Sequence, residues 1–564
     1  MSEPRLRLRR DPRTTLVLLL GLAAAAVASL RWDLSAVASW SATRHSWQRL
    51  VEFLTAFTAP DLSAATLTAV AASCGETVAV ALLGMALGTT LALPLAMLAS
   101  RALDGASPPR RGDVGRRLRR ELARILLDVL RGVPDFVFVL VLVGCTGFSA
   151  WTGVVGIALS VAGSLGKVGS ELWDNVPSHR HAAVTATGAG RLAAFCYGVL
   201  PLSARTLASF WLLRFECTLR NASVIGVVGG GGLGASLWES FKDSRYDQVA
   251  TTLLALLVLT ATADLVANAL RRQLRQPASP RHHTTGTEPA RSRRRRAAVA
   301  LGAMLAVATS VVALVPEWQR LTAALASMEP SYPLQFATRL FLTPDPTAVP
   351  AALREAVVPL AIACLGTLAA TAIAVLLVYP ASLQFQWQAG GFTGARHSAT
   401  GRAVALLGVL LTRGAALVWR AVPEVAWVLV LGAFWRQGVL AAVLAVALHS
   451  AGVLLRLYVE AIDDLPPRRL EAVGSGCARQ VFLYGAVPLC WADWRTHALL
   501  QFESNLRLGI VLGMVGAGGL GEAFDGNLRF DRLERAGTFL WAMVLLAAGV
   551  DRLSRWLQWR RLRC

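Results

Sequence analysis

Phe502–Gly521 reads FESNLRLGIVLGMVGAGGLG, and an earlier stretch, Phe215–Gly234 (FECTLRNASVIGVVGGGGLG), repeats it without a gap. The offset is 287 residues and 12 of 20 positions are identical. A second pair lies upstream: Arg131–Leu142 (RGVPDFVFVLVL) and Arg420–Leu431 (RAVPEVAWVLVL), at an offset of 289 with 7 of 12 identical. Helices rich in Val, Leu and Gly look alike by composition alone. Chance does not also match Phe-Glu, Leu-Arg and Arg-x-Val-Pro at a nearly constant offset. The chain is a tandem duplication.

Composition says where such a duplicate lives. Of 564 residues, 55% are hydrophobic and only 16% charged, with a mean hydropathy of +0.51. Soluble domains average about 45–50% apolar and about 25% charged residues. The formal charge of +21 would suit nucleic acid, but its distribution does not. Arginines cluster in short segments flanking apolar runs (Arg5 to Arg13, Arg101 to Arg120, Arg271 to Arg296, Arg552 to Arg563), the pattern of basic loops retained in the cytoplasm. No nucleic-acid partner is expected. The eight cysteines include no CxxC pair, so neither a disulfide framework nor a zinc site is indicated.

Runs of about 20 apolar residues span a bilayer. Candidate spans lie near 15–30, 66–99, 122–147, 150–166, 198–228, 248–270, 297–315, 351–380, 403–431, 436–455, 487–515 and 536–552. The expected fold is therefore an all-α polytopic helical bundle, with about 12 transmembrane helices in two homologous halves. Residues 1–65 form a membrane helix and external segment, and 66–272 the first repeated domain. An Arg-rich cytoplasmic linker, read as unstructured from its composition, covers 273–296. A second helix and external segment covers 297–350, and the second repeated domain 351–564. The basic n-region and apolar run at 5–30 also fit a signal peptide; the recurrence of such a run at Ala297–Leu314 favours a retained helix. Parallel repeats with an even number of spans share one orientation. They should be related by an axis along the membrane normal, with a pathway between the halves.

Three features could carry chemistry. Gly229, Gly231 and Gly234, and likewise Gly516, Gly518 and Gly521, satisfy G-x-G-x-x-G, yet a dinucleotide site needs a strand before the motif and a membrane helix stands there. Two readings stay open for Gly229, Gly231, Gly232, Gly516, Gly518 and Gly519. One is close packing or a helix break. The other is unwound backbone whose N–H groups line a polar translocation pathway. Next, Glu216 and Arg220, with Glu503 and Arg507, are spaced i, i+4 and share a helix face. They pair to brace the fold, or the arginines turn to an anionic substrate, for which a planar guanidinium offers bidentate hydrogen bonds. Last, Lys167–Pro201 and Arg456–Pro488 are polar stretches. Each is a solvated loop or a short helix for a soluble partner. Lys167 and Lys242 are the only lysines and neither precedes Ser or Thr, so the chain carries no P-loop for ATP. Catalytic motifs of hydrolases and clustered His ligands are absent from the sequence, and no enzyme activity or cofactor is expected.

These residues resemble the membrane subunit of ABC importers of the type I fold, specifically phosphonate-type permeases. The resemblance rests on the Arg-x-Val-Pro-acid helix, Gly163–Glu171, Tyr-Gly-x-x-Pro (Tyr197–Pro201, Tyr484–Pro488) and Phe-Glu-x-x-x-Arg leading into the glycine run. It covers most of 66–272 and 351–556. It implies a cytoplasmic coupling helix with an Glu-Ala-Ala-x-x-x-Gly signature that docks on an ATPase subunit. The first half has Ala182, Ala183 and Gly188 there, with Ala182 in place of Glu. The second has Glu471, Ala472 and Gly476, but is two residues shorter before Pro488. The partners so implied are two ATPase copies, a periplasmic or lipid-anchored substrate-binding protein, membrane lipid and a small anionic substrate such as phosphonate. The implied location is the bacterial inner membrane, multi-pass, with both termini cytoplasmic. Another small anion as cargo, or an ion-coupled secondary carrier, are the alternatives. The carrier would need midplane carboxylates, and few stand beyond Glu216 and Glu503. A membrane-embedded lipid phosphotransferase would need a His/Asp/Glu cluster at one interface, and none appears.

Overall fold

The computed structural model describes residues 47–48, 51–53, 55–102, 114–275, 302, 304–387, 399–435, 438–466, 469–470 and 477–562. Among them the regular elements are helices and no strand occurs. A helix suits a backbone in lipid, because it satisfies its own N–H and C=O groups where water is absent. Nine helices among the described residues are long and apolar enough to cross a bilayer, and Asp135–Thr146 and Met304–Ala313 are shorter apolar helices. The expected span at 15–30 and most of the linker lie outside the described residues.

Two compact units divide the chain, one holding Ala56–Phe336 and the other built on Ala337–Cys564. The first unit contains α1 (Ala64–Ala99), α2 (Val114–Gly132), α3 (Asp135–Thr146), α4 (Ala150–Asp174), α5 (Ser178–Thr185), α6 (Leu200–Ile225), α7 (Gly232–Lys242), α8 (Tyr246–Arg275) and α9 (Val315–Ser327). The second contains α10 (Val357–Ala381), α11 (Ala399–Ala421), α12 (Glu424–Trp435), α13 (Val439–Asp463), α14 (Val487–Leu512), α15 (Leu520–Arg529) and α16 (Leu533–Leu562). Helix α8 runs to Arg275, so the residues read as the start of the linker continue a helix.

The spans expected at 122–147 and 403–431 are each two helices. The breaks fall between Gly132 and Asp135 and between Ala421 and Glu424. Proline explains both: Pro134 and Pro423 lack an N–H and crowd the preceding turn, yet each accepts through its carbonyl at the start of the next helix (Val137 N–H to Pro134 O, 3.0 Å; Trp427 N–H to Pro423 O, 3.1 Å). Helix α2 is amphipathic, exposing Leu118, Leu122, Ile125 and Val129 while burying Ala123 and Leu127. Its counterpart α11 is apolar enough over Ala403–Ala421 to span.

Within each unit the long helices pack through small residues, the usual device where lipid removes any hydrophobic drive between helices. A Cβ on Gly84 of α1 would stand 2.6 Å from Ile157 of α4, and one on Gly366 of α10 would stand 2.6 Å from Val446 of α13. Helix α9, from the segment ahead of the second repeat, packs inside the first unit. Trp151 Nε1 donates to Leu314 O at 3.1 Å, and the Trp151 and Trp318 rings meet edge-on at 5.0 Å.

A carboxylate turn precedes α1 and another precedes α10. Asp61 accepts the Ser63 N–H at 2.9 Å and the Thr66 hydroxyl at 2.5 Å, while its own carbonyl accepts from Thr251 at 2.8 Å. Asp345 accepts the Thr347 N–H at 2.9 Å, and its carbonyl accepts from Thr538 at 2.9 Å. The hydroxyl of Thr66, then the Ser63 N–H, pull the Asp61 carboxyl from 3.8 to about 2; the Thr347 hydroxyl and N–H lower Asp345 likewise. A group with a depressed folded pKa contributes stability that is present above its unfolded value and lost as pH falls through the folded one. Asp61→Asn should therefore lower the melting temperature of the purified chain at neutral pH and flatten its loss between about pH 4 and about pH 2, so that the two chains converge at the acid end. An unchanged acid limb would count against this role.

Candidate functional site: two glycine breaks and their polar surround

Helix α6 ends at Ile225 and widens into a π turn over Gly226–Gly230. The chain then leaves helical geometry. Gly229 has φ +112°, Gly231 +72° and Gly232 +71°, the left-handed region that disfavours any residue with a Cβ. Helix α7 then begins. The second unit repeats this after α14, with Gly516 at +103°, Gly518 at +83° and Gly519 at +83°. The glycine runs are breaks. They also pack closely, since the helix after each break folds back on the one before it: a Cβ on Gly234 would run into Ser223 O, and one on Gly521 into Ile510 O.

The freed N–H groups of the first break are engaged from α1. Gly232 N–H donates to Glu76 Oε2 at 2.9 Å and Leu233 N–H to Thr77 Oγ1 at 2.9 Å. At the second break Val358 and Glu355 O crowd Gly519 instead, and the nearby carboxylate belongs to Glu522, 3.6 Å from where a Gly518 Cβ would lie. The two breaks share a backbone path and differ in their side-chain surround.

Glu216 is buried. Arg220 Nη2 lies 3.8 Å from its Oε1, and Arg271 Nη2, reaching over from α8, lies 3.1 Å from its Oε2. Arg271 also donates to Asn268 Oδ1 at 2.8 Å. The i, i+4 pair expected from sequence is thus half of a three-membered bridge. Arg271, hidden at the edge of the basic linker, was not legible as its partner. In the second unit Glu503 is buried and Arg507 half-buried.

A further polar cluster stands beside the first break. Asp135, at the start of α3, accepts from Ser160 Oγ and from Asn221 Nδ2 at 2.7 Å. Arg214 Nη2 donates to Ser160 Oγ at 3.0 Å and stands 3.6 Å from Asp135 Oδ2. The repeat places Glu424, His449, Gln501 and Leu508 at the corresponding positions. There Glu424 Oε1 lies 2.9 Å from the buried His449 Nε2, and Gln501 joins Ser450 and Asn505. The repeat position of Arg214 is held by Gln501, so that guanidinium is not duplicated in the sequence. Asp135 was visible as the acid of Arg-x-Val-Pro-acid; Ser160 and Asn221 gave no signal in the sequence.

Of the residues assigned to coupling, Ala182 is half-buried and Ala183 exposed on α5, and Gly188 follows with φ +84°. Glu471, Ala472 and Gly476 lie outside the described residues. The polar stretch after α4 thus contains a short helix, Ser178–Thr185.

The model of a binding-protein-dependent transport system inner membrane component matches residues 114–276. The chain is 28% identical over 492 residues to a phosphate-import permease protein of Mycolicibacterium smegmatis, covering 86% of this chain and 84% of that one. It is 30% identical over 223 residues, 40% of this chain, to 75% of a putative phosphite transport system permease protein of Stutzerimonas stutzeri. It is also 32% identical over 119 residues, 21% of this chain, to 98% of a putative cryptic phosphonate transport system permease protein of Escherichia coli. No solved structure matches the chain significantly.

Proposed function

The chain belongs to the family of binding-protein-dependent transport system inner membrane components, and from this we propose that it carries phosphate, phosphonate or a related phosphorus oxyanion into the cell. It is the multi-pass permease of an ABC importer, and ATP hydrolysis belongs to a separate subunit. The observation that carries the cargo class is the alignment of 492 residues, across both halves, with a phosphate-import permease. The phosphite and phosphonate names of the shorter relatives support the same class.

In this reading two ATPase copies dock on the cytoplasmic face, through α5 in the first half and through 471–476 in the second. A periplasmic or lipid-anchored binding protein delivers the anion, and both termini are cytoplasmic. The permease domains are 66–272 and 351–564. Arg220 and Arg507, with the glycine breaks, belong to the translocation pathway, where a guanidinium matches a phosphoryl group in charge and geometry.

The test is reconstitution with the ATPase and the binding protein in proteoliposomes, followed by uptake of phosphate and methylphosphonate. Uptake should require ATP inside the compartment that exposes the ATPase. Uptake driven by an ion gradient without ATP would sink the importer reading, and ATP-driven uptake of an unrelated anion alone would sink the cargo.

A further inference from the structure

The end of α4 and the end of α13 are tied down by the same set of bonds. In the first unit Asp174 Oδ1 accepts the Ser100 hydroxyl at 2.7 Å and the Arg101 N–H at 2.6 Å. Its Oδ2 takes an ion pair from Arg124 Nη2 at 3.0 Å, and Arg124 Nε donates to Ala99 O at 3.1 Å. In the second unit Asp463 Oδ1 accepts the Ser382 hydroxyl at 2.7 Å and the Gln384 N–H at 3.2 Å. Arg413 Nη2 pairs with its Oδ2 at 2.6 Å, and Arg413 Nε donates to Ala381 O at 2.8 Å. One carboxylate thus closes three elements together in each unit: the C-terminal ends of α1 and α4 with Arg124 of α2, or of α10 and α13 with Arg413 of α11.

The location gives the staple its meaning. Asp174 is the last residue of α4, and α5 begins at Ser178. The returning end of the loop is pinned beside it, where Trp173 and Phe195 meet edge-on at 4.8 Å. In the second unit Ile462 is buried next to Asp463, and Phe482 packs edge-on against Tyr379 at 5.0 Å. Both ends of each polar loop are therefore fixed to helices that continue into the bilayer. A loop held at one end would swing when pushed; one held at both ends hands its displacement to those helices.

We propose that Asp174 and Asp463 are positioning residues that transmit the ATPase stroke from the two coupling loops to the membrane helices, and that this linkage is equivalent in both halves. The loops themselves differ: Ala182 stands opposite Glu471, and the second is two residues shorter. The staples do not differ, so the halves diverge where they meet the ATPase and agree where motion enters the fold. This inference rests on the importer reading above, in which the loops dock on an ATPase.

The test uses the full chain with its ATPase and binding protein in proteoliposomes, comparing Asp174→Asn, Asp463→Asn and the double variant for phosphate moved per ATP hydrolysed. Each single change should lower that ratio by about the same factor, and the double change at least tenfold, with ATP hydrolysis persisting but losing its dependence on binding protein. The pair Arg124→Lys and Arg413→Lys keeps the charge but forfeits the two-point bridge to the Ala99 and Ala381 carbonyls, and should lower the ratio less than the double Asn change. Hydrogen exchange of the chain alone in nanodiscs gives a second readout: the Asn change at 174 should raise exchange over residues 178–188 while leaving the cores of α4 and α6 protected. A double variant with an unchanged phosphate-per-ATP ratio would overturn the inference, as would unchanged exchange over 178–188. If the unaltered chain neither stimulates an ATPase nor moves phosphate, the importer reading fails instead, and the exchange result still decides whether the staple holds the loop.

Discussion

Alanine at Gly234 or at Gly521 should leave the corresponding unit unable to reach its native packing. The added methyl at 234 meets Ser223 O and the N–H of Val227, and at 521 it meets Ile510 O and the N–H of Met514. These are backbone atoms, so no rotamer change relieves the clash. Overpacking against side chains costs about 1–3 kcal/mol, and more where neighbours cannot yield; a loss of about 3 kcal/mol or more is expected at either position. The measurement is melting temperature and monodisperse yield in detergent, with Gly75→Ala as the control. Gly75 lies in α1 with nothing within 4 Å of its would-be Cβ, and alanine there should be neutral or mildly stabilising, since glycine is the poorer helix former. Equal behaviour of Gly234→Ala and Gly75→Ala would refute the packing of the break.

Glu216→Ala should be the most damaging change to a charged residue in the first unit. It removes the one carboxylate that Arg220 and Arg271 share and leaves two guanidiniums, each largely buried, facing one another. Removing one partner of a buried ion pair typically costs about 3–5 kcal/mol, because the remaining charge is stranded. Transport should fall with stability. The double change Glu216→Gln with Arg271→Gln should recover only part of the melting temperature, because it removes one stranded guanidinium and leaves Arg220 without its carboxylate. If Glu216→Ala alone keeps its melting temperature but loses transport, the carboxylate acts on the cargo and the brace account is wrong.

The duplication, the helical membrane fold and the glycine runs could be read from the chain because they leave a mark in register. Residues 287 or 289 apart repeat, and a break needs glycine wherever φ turns positive. What escaped was contact between elements distant in sequence. Arg271 sits in a basic stretch that composition assigns to a linker, yet it reaches Glu216 across the helix pair. Glu76 is one acid within a long apolar helix, and only folding brings it to the Gly232 N–H. The breaks at Pro134 and Pro423 were hidden by apolar flanks on either side, which a hydropathy window merges into one span. The staples were within reach. Arg124 with Arg413 and Asp174 with Asp463 keep the 289 offset, but Ser100 and Ser382 are 282 apart, because loop lengths between helices differ and the register slips.

The Asp135 cluster and its counterpart at Glu424 carry one further consequence. A gene for a subunit that works as an identical pair writes each mutation into the complex twice, so a substitution tolerable once but harmful in duplicate is purged. Joining the copies in one reading frame halves that dose. Serine at 160 and histidine at 449 hold the same place in the repeat, one beside a guanidinium and the other beside a buried carboxylate. Such an unlike couple needs two copies that mutate independently, which a duplication within one chain supplies.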